Sequence, residues 1–182
     1  MATVYDTTMS PGKVELLTRW LPRQPWYLGT GTPRLQRVGG FRLDDPAGAV
    51  GIEFYLATDD SGPDPVVYHV PMTYRGAALS GAENALIGTS EHGVLGMRWI
   101  YDGEHDPVLL HTAAALLAGT TVAQHQVSSD TVDPTVRVGQ PRTTDPIRVR
   151  ILRIPQPATD PGPGQVIVPW AQSGSGVVLE AA

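Results

Sequence analysis

Ile52-Glu53-Phe54-Tyr55-Leu56 and Val66-Val67-Tyr68-His69-Val70-Pro71-Met72 decide the fold, because both runs change side-chain character with a period of two. Period two sends successive side chains to opposite faces of a strand. In the first run Ile52, Phe54 and Leu56 share one face, opposite Glu53 and Tyr55; in the second Val66, Tyr68, Val70 and Met72 make one apolar row. Asp59-Asp60-Ser61-Gly62-Pro63 between them is turn chemistry, so the two runs are expected to form an antiparallel hairpin.

The same pattern extends outward in both directions. Leu35 to Leu43 alternates, and Gly39-Gly40 in its middle predicts a bulge or sharp bend. Leu95, Met97, Trp99 and Tyr101 form a further apolar row, and strands are also expected at Thr121 to Val127 and at Ile147 to Ile151. Val166-Ile167-Val168 and Val177-Val178-Leu179 are expected to pair through Gly174-Ser175-Gly176.

Two helices interrupt the strands. The first is expected to start with Ser10 as N-cap and Pro11 at the first helical position, to bury Val14, Leu17, Trp20 and Leu21, and to stop at Pro22. In the second, Asp106 caps, Pro107 follows, and Val108, Leu109, Ala113, Leu116 and Leu117 run to a left-handed Gly119. On capping alone, Asp106→Ala is expected to cost about 0.5–2 kcal/mol. Strands in runs, with helices only at the start and the middle, give an α+β class: a curved antiparallel sheet with a helix packed on one face. Residues 1–182 are expected to form a single domain with a mobile Pro/Gly-rich loop at 155–164.

Composition narrows the functions. The 20 glycines and 17 prolines suit turns and strands, and a net charge of −5 argues against a nucleic-acid or anionic-membrane partner, either of which needs clustered cations. With no cysteine, disulfides, thiolate metal sites and cysteine nucleophiles are excluded. No apolar run approaches a membrane span and the first twelve residues do not resemble a secretory signal, so a cytoplasmic location is expected.

Three segments carry a family likeness. Trp20-Leu21-Pro22-Arg23-Gln24-Pro25-Trp26-Tyr27, then Tyr68-His69-Val70-Pro71-Met72-Thr73-Tyr74-Arg75, then Trp99-Ile100-Tyr101-Asp102-Gly103 with Asp106-Pro107 resemble, in that order, the N-terminal cap domain of maltokinase and related actinobacterial sugar kinases. Pro25 stands where that family has Arg, Tyr27 where it has Phe, and Thr30 near where it often has Lys. The phrase Ile87 to Trp99 looks most like stand-alone cap-like proteins of actinobacteria. The resemblance implies a cystatin-like fold, a helix wrapped by a sheet, here with extra C-terminal strands. It also implies a link to maltose, trehalose, glycogen or other glucan metabolism. It does not imply kinase chemistry, because phosphoryl transfer needs a nucleotide lysine, metal-binding Asp and Asn residues and a base, and Lys13 is the sole lysine.

The chemistry-bearing residues leave several readings open. Gly29-Thr30-Gly31-Thr32 lacks the remaining features of a phosphate loop and reads as a turn. Gly88-Thr89-Ser90-Glu91-His92 is one glycine short of a nucleophile elbow. Asp102, Glu104, His105 and Asp106 invite an acid–base or metal reading, against turn and cap roles for the two aspartates. His69 reads as solvent-facing or as a satisfied core histidine. Trp26 and Tyr27, held extended by Pro22 and Pro25, are expected to be partly exposed and, with Arg23, Tyr74 and Arg75, to bind a ligand or partner.

The leading expectation is therefore a non-catalytic cap-like protein, with no cofactor or metal, that binds a small ligand, a sugar kinase or glucan enzyme, or another copy of itself. One alternative is a small-substrate hydrolase or lyase using Ser90 and His92 or Asp102, His105 and Asp106. Another is a subunit of a split sugar kinase.

Overall fold

A computed structural model describes residues 8–142, 146–171 and 174–182. In chain order its elements are β1 (Met9–Ser10), α1 (Lys13–Trp20), β2 (Leu35–Asp44), β3 (Gly51–Asp59), β4 (Val66–Arg75), β5 (Leu86–His92) and β6 (Gly96–Asp102). There follow α2 (Pro107–Leu117), β7 (Arg137–Val138), β8 (Val149–Pro157), β9 (Gln165–Trp170) and β10 (Gly174–Ala181). The strands form one antiparallel sheet in the order β1-β5-β6-β4-β3-β2-β9-β10-β8, with β7 beside β9. The α+β class and the predicted hairpin hold: Asp59 faces Val66 across the β3–β4 turn and Gly51 faces Tyr74 at the far end.

Strand β3 is buried on both faces, so both sides of the sheet carry a core. Ile52, Phe54 and Leu56 pack with Phe41, Leu43, Val166, Val178 and Leu179 beneath Leu109, Ala113 and Leu116 of α2. Tyr55 and Ala57 point the other way and join Tyr68, Val70, Met72 and Ile100 beneath Leu16, Leu17 and Trp20 of α1. Each face therefore carries its own helix, where the sequence suggested one helix on one face. The sheet also curls until β8 comes against β4, and there His69 Nδ1 lies 2.9 Å from the Leu152 carbonyl oxygen.

Several local expectations need correction. Ser10 does not cap α1, because it is already extended in β1 opposite Glu91; Gly12 is the N-cap and the Ser10–Pro11 bond is cis. Val14 lies 40 % exposed, and Leu16 takes its place in a buried stripe centred on Trp20. Pro22 sits inside a 3-10 turn, Leu21–Arg23, that continues the helix for three residues. Thr121 to Val127 is irregular, with only Gln124 bridged, to Arg42 and Val132. Strand β8 runs on through Pro157, so the loop starts at Ala158; as the last strand in the sheet, β8 tolerates prolines on its unpaired side. The β9–β10 hairpin forms as expected, but Gly174-Ser175-Gly176 is its second strand rather than its turn.

The capping of α2 holds. Asp106 accepts from the Val108 N–H at 3.0 Å, Pro107 occupies the first turn, and Gly119 has φ +72°. So does the β2 bulge: its register to β3 shifts between Arg37 and Gly39, and Gly40 has φ +131°.

Candidate functional site

The first polar centre lies on the α1 side of β3. Because Ile52, Phe54 and Leu56 take the other core, Glu53 is directed under α1, where it is 4 % exposed. Its carboxylate accepts from Lys13 Nζ at 2.8 and 2.7 Å, from the Tyr74 hydroxyl at 2.5 Å and from Gln126 Nε2 at 2.8 Å. Burial pushes this carboxyl up, but the Lys13 ammonium and the bonds from Tyr74 and Gln126 outweigh it and hold the pKa below the usual value. Lys13 also stands 5.8 and 5.7 Å from the centres of the Tyr55 and Tyr74 rings. Gln126 fits because Gly40 has no side chain: a Cβ there would sit 2.8 Å from Gln126 Nε2 and 2.2 Å from the Phe54 carbonyl. Arg37 Nη1 donates to Gln126 Oε1 at 2.8 Å and completes the cluster.

A second centre forms where β4 meets the start of α2. Arg75 grips Asp106 with two bonds of 2.7 Å, and the Thr73 hydroxyl adds a third at 2.7 Å. Burial raises the Asp106 pKa, but these bonds and the Val108 N–H hold it below its ordinary value. A third centre joins Asp102 to Arg153 of β8 at 2.6 Å, with Glu104 on the same nitrogen at 2.5 Å.

The aromatic segment rests partly on the α1 core. Trp26 is half-buried against Trp20 and Tyr68, at 5.8 and 6.0 Å between ring centres, and Arg153 stacks 4.9 Å over it. Tyr27 donates to Asp59 at 3.0 Å and lies 5.6 Å from Tyr68. Beside these rings Leu28 is 65 % exposed and Arg23 is exposed. Tyr74 and Arg75 turn inward, to Glu53 and Asp106.

The polar candidates do not converge. Ser90 is buried in β5 and gives its hydroxyl to the Pro11 carbonyl at 2.8 Å, so it is no strand-to-helix elbow. His92 Nδ1 accepts from the Leu95 N–H at 3.1 Å within the hairpin turn. His105 is exposed, while Asp102 and Asp106 serve separate arginines. Among the described residues no three His, Asp or Glu side chains gather as a metal site, and no helix is long and apolar enough to cross a membrane. His69 is a core histidine with one nitrogen bonded and, among the described residues, no partner for Nε2.

Sequence reading missed Lys13, Glu53, Tyr55, Gln126 and Arg37 as a group. A carboxylate in an otherwise apolar strand and the single lysine of the chain were its only signals.

Neither a curated protein nor a solved structure matches the chain. The family model of the maltokinase N-terminal cap domain matches residues 20–106, a little under half of the chain, from the end of α1 through β2–β6 to the cap of α2. Glu53, Tyr55, Tyr74, Trp26 and Arg75 lie within the match, Lys13 and Gln126 outside it. Over that span the chain resembles a maltokinase N-terminal cap domain.

Proposed function

We propose that this chain is a non-catalytic cap-like protein of maltose, trehalose or glucan metabolism. It acts by binding a sugar kinase, a glucan enzyme or a second copy of itself through the surface of Arg23, Trp26, Tyr27 and Leu28. The observation that carries the metabolic part is the cap-domain match over residues 20–106. The binding part is supported by a half-buried tryptophan and tyrosine next to an exposed leucine, since rigid aromatics on a packed base suit interface anchors. On the same reading β3–β6 wrapped against α1 is the cystatin-like part, and β7–β10 are additions to it.

A non-catalytic role predicts that the purified chain, given ATP with maltose, glucosamine or glucose, forms no phosphorylated sugar above the buffer rate. Turnover well above buffer sinks that part of the reading. For the surface, Trp26→Ala should weaken self-association or capture of a maltokinase chain by about 2 kcal/mol. Sedimentation and surface-capture assays on folded protein measure this. Unchanged association with an intact fold rejects the aromatic surface.

A further inference from the structure

Around the Glu53 cluster lies a cleft of about 500 Å³ whose wall is the first turn of α1, Gly12 to Glu15, and whose floor includes Arg37, Tyr55 and Gln126. Three independent features there point to a ligand that accepts hydrogen bonds.

The first is the helix start. Gly12 has no side chain with which to cap, and intrahelical bonding begins with the Leu16 N–H on the Gly12 carbonyl at 3.0 Å. The amides of Lys13, Val14 and Glu15 have no partner among the described residues, at the positive end of the helix dipole. The second is Tyr55, only 3 % exposed yet lining the cleft, whose hydroxyl has no hydrogen-bond partner among the described residues. Burial and the nearby Glu53 push its pKa up to about 12, so it remains a neutral donor at physiological pH. The third is the saturation of the carboxylate. Glu53 already accepts four bonds, which is about the capacity of its two oxygens, whereas Lys13 keeps one N–H and Arg37 keeps its second terminal nitrogen.

A sugar hydroxyl needs acceptors as well as donors, and among the described residues the spare groups of this cleft are chiefly donors. Glu15, the carboxylate at the rim, is engaged by Arg19 at 2.5 Å, and among the described residues Arg37 has no carboxylate partner. We propose that this cleft binds a small molecule through an oxyanion, a carboxylate or a phosphate monoester, seated on the first turn of α1 and held by Lys13, Arg37 and the Tyr55 hydroxyl. The site does not depend on the aromatic surface or on the metabolic assignment.

The test is titration of the whole, isotopically labelled chain with inorganic phosphate and, separately, with acetate, each against chloride at equal ionic strength. Saturable shifts of the Lys13, Val14 and Glu15 amide resonances with either anion are expected, and the anion that binds more tightly identifies the head group. Tyr55→Phe, which keeps the ring, and Arg37→Ala at an exposed position should each weaken that binding by about tenfold while leaving the remaining amide resonances in place. The proposal is overturned if chloride reproduces the shifts, if no saturable shift occurs, or if both folded variants bind as the parent does.

Discussion

Asp106→Ala should cost about 3–5 kcal/mol, well beyond the roughly 0.5–2 expected of a helix cap alone. The carboxylate is fully buried and caps α2, but it also neutralises Arg75 through two bonds of 2.7 Å and accepts the Thr73 hydroxyl. Truncation leaves a mostly buried guanidinium and a buried hydroxyl without their partner, and that stranded polarity dominates the loss. Asp106→Asn keeps an acceptor for the Val108 N–H but removes the charge, so it should fall between parent and alanine. In a double-mutant cycle with Arg75→Ala the two losses should fall short of adding by at least 1 kcal/mol. Urea unfolding at pH 7 of the parent and the four variants measures these losses. A loss below about 1.5 kcal/mol for Asp106→Ala would reduce the residue to its capping role.

The capping role was legible because it is local: an Asp before a Pro and an apolar helix needs nothing from the rest of the chain. The arginine partner was not, since Arg75 and Asp106 are 31 positions apart and meet only when β4 and α2 pack. The same division runs through the fold. Alternation located most of the strands and set Glu53 and Tyr55 opposite Ile52, Phe54 and Leu56, but it left the burial of their face open, because period two tells which residues share a face and not whether a second helix covers it. Prolines at 155 and 157 read as loop because sequence does not show that β8 ends the sheet, where an absent N–H goes unmissed. The Lys13–Glu53 cluster required five segments, α1, β2, β3, β4 and the irregular stretch carrying Gln126, to be folded together, and no spacing in the chain encodes that.

Acidification from pH 6.5 to 5 should cost the fold roughly 2 kcal/mol through His69 alone, and roughly 4 kcal/mol by pH 3.5. The ring is completely buried, stacked on Phe54 with centres 5.9 Å apart, and its Nδ1–H donates to the Leu152 carbonyl while Nε2 stays bare. Burial is the main cause that drives its pKa down to about 3; the Leu152 bond opposes this and the nearby Arg153 charge adds to it. An unfolded histidine takes up its proton near pH 6.5, whereas the folded one refuses it until about 3. The unfolded state therefore binds more protons throughout that window, and stability falls as the pH falls. Glu53 and Asp106, whose pKa values are lowered, act in a different range: their contribution is complete above the unfolded carboxylate values near 4 and is lost only below them. His69→Phe removes the titration while keeping a flat ring, so the stability gap between parent and variant should move by roughly 2 kcal/mol in the variant's favour between pH 6.5 and 5, with other histidines cancelling in the difference. A gap that stays constant across this range would mean that His69 takes up its proton in the folded protein as readily as in the unfolded chain, and that the join between β4 and β8 is open to water.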